Sequence, residues 1–152
     1  MTEHDANAFA EPLLAFVRDT RVQMGLVLET SGRVLAQHGF TRSLDVMSAC
    51  ALVSAIHASA AELGRHLDGE AFGPLHHAGK DRQVFLAPLR CDGRTVLLLA
   101  VFDGASSLGI VRLFWQEFAR RVADAPRAPT SGAAPDFERE LQHNLAVLFG
   151  RA

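Results

Sequence analysis

The sequence predicts an α+β fold, and three observations carry that prediction. Coarse periodicity reads helix, two strands, helix, three strands, helix, and then a further helix behind a linker. The three later strands are separated only by short turns, which makes an antiparallel meander rather than a doubly wound parallel sheet. The last of them, within Arg94 to Phe102, holds seven consecutive apolar residues (Val96 to Phe102), as a central strand covered on both faces requires.

Each element has its own local signal. Ala8 to Asp19 places Phe9, Leu13, Phe16 and Val17 at helical spacing, with Pro12 near the start. Gln23 to Glu29 and Arg33 to His38 read as strands around the hairpin residues Thr30, Ser31 and Gly32. Leu44 to Leu67 is a helix of about six turns, capped by Ser43 or Asp45 and stopped by Asp68 and Gly69. Phe72 to Ala78 and Gln83 to Leu89 are shorter strands, and Cys91-Asp92-Gly93 turns the chain into the apolar strand. Ser107 to Ala123 is a helix. The three prolines and small residues of 125–135 make a flexible linker, and Asp136 to Phe149 a final helix. The expected organisation is a domain over 1–124, a linker over 125–135 and an amphipathic tail over 136–152.

Composition narrows the function classes. The chain has 152 residues, 49% of them hydrophobic, enough for one sizeable core. A formal net charge of −2 gives no reason to expect nucleic acid or an anionic membrane as partner. Cys50 and Cys91 sit in apolar contexts that suit buried thiols better than a disulfide. There is no basic segment followed by an apolar run at the N-terminus, and no run of some 18 to 20 apolar residues. A soluble cytoplasmic protein is expected.

Little in the sequence announces chemistry. Gly73 to Lys80 (GPLHHAGK) has five residues between its glycines where a phosphate loop needs four, and Asp81 stands where that loop needs Ser or Thr. His76 and His77 are adjacent, so on a strand they point to opposite faces. Cys50 and His57 lie about 10 Å apart along a helix, too far to share an ion. Ser106 and Ser107, after the Asp103-Gly104 turn, could bind an anion at a helix start or simply cap that helix. Within an antiparallel meander, capping is the expectation. No catalysis, metal or cofactor is expected, although a site assembled from distant residues would be invisible at this level.

The helical faces say more. With a buried stripe centred on Ile56, the long helix would cover the sheet with Ala49, Leu52, Leu63 and Leu67. Its opposite face holds Met47, Ala51, Ser54, Ala58, Glu62 and Arg65. That face is small and half apolar, which suits either an Ala-rich helix favoured by propensity or a surface for another protein. The tail carries Phe137, Leu141, Leu145, Leu148 and Phe149 on one face, for folding back on its own domain or for docking in a partner's groove.

The element order and three local stretches resemble the Roadblock family of dynein light-chain-like domains over residues 8–124. The stretches are LVLETSGRVLAQHG (26–39), HHAGKDRQVFLAPL (76–89) and LLLAVFDGASSLGIVRL (97–113). Within the family the chain is most similar to the bacterial MglB-type regulators, through AGKD, FDGASSLGIVRL and a tail ending in Leu148-Phe149. The resemblance implies an α-β-β-α-β-β-β-α domain whose five-stranded antiparallel sheet has helices on both faces. It implies a homodimer with its second helices side by side. It also implies binding of a Ras-like small GTPase of the MglA type and stimulation of GTP hydrolysis without an inserted catalytic residue. Met47, Ala51, Ser54, Ala58, Glu62 and Arg65 become the GTPase-facing candidates, and Phe137, Leu141, Leu145, Leu148 and Phe149 a second contact. The setting implied is cell polarity or gliding motility, in the cytoplasm and at a cell pole through partners. The alternative is an adaptor that scaffolds such a complex without activating the GTPase.

Overall fold

The computed structural model describes residues 3–40 and 45–124. The linker over 125–135 and the tail over 136–152, with Phe137, Leu141, Leu145, Leu148 and Phe149, lie outside the described residues. So do Ser43 and Leu44. The described elements are α1 (Glu3–Thr20), β1 (Met24–Glu29), β2 (Val34–Gly39), α2 (Val46–Asp68), β3 (Leu75–Ala78), β4 (Gln83–Cys91), β5 (Arg94–Phe102) and α3 (Leu108–Asp124).

The five strands form one antiparallel sheet in the order β2-β1-β5-β4-β3. β5 is its centre, with Leu98 opposite Val27 of β1 on one side and Ala87 of β4 on the other. The apolar run is therefore needed on both faces of the pleat. Val96, Leu98, Ala100 and Phe102 join a core with Phe9, Leu13 and Phe16 of α1 and Val111, Phe118 and Val122 of α3. Leu97, Leu99 and Val101 point the other way, towards Cys50 and Val53 of α2. The result is three layers: α1 with α3, the sheet, and α2.

Two turns show the chemistry behind the topology. Asp92 and Gly93 both adopt positive φ (53° and 77°), as a tight two-residue hairpin with the twist of its strands demands. Gly25 lets α1 lie close on β1, because a Cβ there would stand 2.8 Å from Val17 Cγ2 and 2.9 Å from Leu13 Cδ1.

Several expectations are corrected. α1 begins at Glu3 instead of Ala8, so Pro12 lies inside it and not in its first turn; Glu3, Ala6 and Ala8 are good helix formers that extend it backwards. β3 begins at Leu75 rather than Phe72. The chain before it runs against α2 at Gly64, where a Cβ would collide with the Phe72 amide nitrogen and the Glu70 carbonyl. α2 is long and apolar enough, by length and composition, to cross a membrane, contrary to the count of apolar residues alone. Here one of its faces lies against the sheet.

The largest correction concerns that face. The residues that α2 buries are Cys50, Val53, Ala61 and Gly64. Leu52, Ile56, Leu63 and Leu67, expected to cover the sheet, are exposed, with Leu52 at 65% and Leu67 at 66%; Ala49 is half-buried. The sheet already presents Leu26, Leu28, Leu86, Leu97 and Leu99 to the helix. Close packing then leaves room only for small side chains from above.

Candidate functional site

α2 is the element on which the candidate residues meet. Asp45 starts it, accepting backbone N–H bonds from Met47 (3.1 Å) and Ser48 (3.4 Å) and the Ser48 hydroxyl (2.7 Å). These bonds hold its carboxyl below the usual aspartate value, the Ser48 hydroxyl contributing most. Gly69 ends it in the left-handed conformation (φ 77°), donating to the Arg65 carbonyl.

Helical spacing of about 100° per residue divides the helix into three faces. One packs on the sheet. The second carries the expected partner residues Met47, Ala51, Ser54, Ala58, Glu62 and Arg65, all exposed except half-buried Ser54. Ser54 turns inward because its hydroxyl donates to the Thr30 carbonyl of the β1–β2 turn. Glu62 pairs with Arg65 (3.0 Å) and lies 3.2 Å from His66, which balances charge at the C-terminal end of this face. The third face is the stripe Leu52, Ile56, Leu63 and Leu67. The sequence signal for it was present but misassigned: α2 has more large apolar side chains than one buried stripe can hold.

Beside the second face lies an open cleft of about 470 Å³ between α2 and the β1–β2 turn. Glu29, Ser31, His57, Arg65, Arg94 and Thr95 line it. Burial, and then the Arg65 charge, lower the His57 pKa. The lining is polar, with the Ser31 hydroxyl donating to the Glu29 carboxylate (3.3 Å), and suits water or a polar side chain.

The other sequence candidates are structural. Asp103 accepts the Ala105 amide (3.0 Å) and a bond from Gln23 Nε2 (3.0 Å), and Ser107 Oγ accepts the Ile110 amide (3.3 Å). The serine corner is thus a helix cap. His76 bonds Gln83 (2.8 Å) and stacks on Phe102, with ring centroids 6.1 Å apart. Burial raises the Cys50 pKa, which favours the thiol over the reactive thiolate. Among the described residues no group of three His, Cys, Asp or Glu is placed to hold a metal ion.

No protein-family model matches this chain, and no curated protein matches it. Solved structures do. The fold is of the Roadblock/LC7 type: a Roadblock/LC7 domain from Streptomyces avermitilis superposes with a TM-score of 0.62 at 16% identity, over 74% of this chain and 92% of that one. Within that class the fold is similar to MglB. The Myxococcus xanthus protein gives a TM-score of 0.71 at 22% identity, and the Thermus thermophilus gliding protein MglB 0.68 at 25%. Each match covers 81% of this chain and 90% of the other.

Proposed function

We propose that this protein regulates a Ras-like small GTPase of the MglA type as an MglB-like homodimer that stimulates GTP hydrolysis. The observation that carries the reading is α2, a helix of 23 residues that buries four of them and exposes Met47, Leu52, Ile56, Leu63 and Leu67. Exposed apolar surface on this scale marks a protein–protein surface. The MglB-like fold supports the assignment of partner. In this reading the Leu52–Leu67 stripe of one copy packs against that of a second. The flank with Met47, Ala51, Ser54, Ala58, Glu62 and Arg65 then faces the GTPase. Small side chains there let a switch loop approach the backbone closely.

Activation of this kind needs no catalytic group from the regulator. GTP hydrolysis depends mainly on positioning and charge stabilisation, so holding the GTPase's own switch residues in place is sufficient. Single-turnover hydrolysis by an MglA-type GTPase, with and without the purified full chain, tests the reading. Acceleration is expected. Binding without acceleration would leave the adaptor role instead. Ala58→Arg is expected to abolish GTPase binding and leave the oligomer intact; retained binding would place the GTPase elsewhere.

A further inference from the structure

On the side of the molecule away from α2, the outer surface of α3 is apolar where a solvated helix should be charged. Leu113 is 63% exposed and Ile110 43%, with half-buried Phe114 beside them. Leu113 and Phe114 line an open groove of about 520 Å³ that also takes in Asp19 of α1 and Glu117, Arg120 and Arg121 of α3. The apolar part is the N-terminal half of α3. The basic part is its last turns, where Glu117 pairs with both arginines.

We propose that this groove is the docking site of the chain's own segment 136–149, which folds back as an antiparallel helix along α3. The segment follows Asp124, the last residue of α3, after eleven residues with three prolines, which span roughly 20 Å as a coil. A hairpin turning about Thr130 sets residues equally distant from it side by side. Leu113 then meets Leu145 and Leu148, while Arg120 meets Glu140 and Arg121 lies by Arg139 with Glu138 and Glu140 on either side. In this register the acidic end of the segment lies along the basic end of α3, and the apolar ends meet. A parallel arrangement would set Asp136, Glu138 and Glu140 against Ile110 and Leu113, leaving the arginines beside Leu148 and Phe149. Antiparallel packing also opposes the two helix dipoles.

Docking there covers Phe137, Leu141, Leu145, Leu148 and Phe149, so the segment is unavailable to any other partner while it is bound. A partner that needs it sees an affinity reduced by the undocked fraction. The docking does not depend on the GTPase reading, and its test uses no GTPase.

The test is made on the full-length chain. Amide hydrogen exchange of 136–149 is expected to be at least ten-fold slower than in an unstructured peptide, and Leu113→Glu, at an exposed site, should remove that protection. Arg121→Glu should weaken the protection, and adding Glu138→Arg should restore it. The pair Leu113→Cys with Leu148→Cys should form a disulfide within one chain, while Leu113→Cys with Phe137→Cys should not. Unprotected amides, protection indifferent to Leu113→Glu, or disulfides formed only between two chains would each overturn the proposal.

Discussion

Gly64 and His57 show how single residues set the behaviour of α2. At Gly64 the returning segment at Glu70 and Phe72 occupies the space a methyl group would need. Gly64→Ala should therefore cost about 1–3 kcal/mol, read as a lower denaturation midpoint. Gly69→Ala meets no neighbour but must hold a left-handed φ, a cost of about 1–2 kcal/mol. His57 faces Arg65 in a cleft that also holds Arg94 and Glu29, and its pKa is lowered on folding. A lowered folded pKa means that the unfolded chain binds the proton more tightly. Stability should then fall as pH drops from the ordinary histidine range near 6.5 through the lower folded value. His57→Gln should flatten that slope in pH-dependent denaturation. The caps Asp45 and Gly69 were legible in the sequence because their partners lie within four residues. The crowding at Gly64 was not, because its cause is the path of the chain at Glu70 and Phe72 back along the helix, which no local pattern encodes.

Two elements with similar apolar content meet opposite fates, and the sheet decides between them. β5 has both faces covered, so its run could be read directly as a central strand. Leu98→Ala should cost about 2–5 kcal/mol by chemical denaturation, because Leu98 is fully buried between Val27 and Ala87. α2 could not be read in the same way. Its large side chains form a clear stripe, and a stripe is ordinarily the buried one. The leucines already on β1, β4 and β5 reverse that preference and pack against Cys50 and Val53, while Gly64 is set by Glu70 and Phe72. Leu63→Glu should thus leave the stability of the single chain within about 0.5 kcal/mol of the parent, compared where both are monomeric. In the proposed dimer it should also lower the sedimentation mass towards that of one chain. A large loss of stability without dissociation would return Leu63 to the core.

At the scale of the whole molecule, the element order and antiparallel class were legible because short turns and strand lengths are local facts. The placement of α2 depended on complementarity between layers, which no local pattern encodes. That placement seals the two faces of the sheet unequally. α1 and α3 insert Phe9, Leu13, Phe16, Val111, Phe118 and Val122 into one face, whereas α2 gives the other Cys50, Val53 and half-buried Val46. Apolar burial scales with the area removed from water, so the two layers adhere with very different strength. The protein is in effect a robust half-sandwich with a lightly fastened lid, and the lid should lift as a unit before the rest unfolds. Within residues 3–124 of a single undimerised chain, thermolysin under native conditions should cut first within α2, leaving the α1–sheet–α3 body intact for longer. A surface that can detach from its own core is also one that a partner can reposition at little cost.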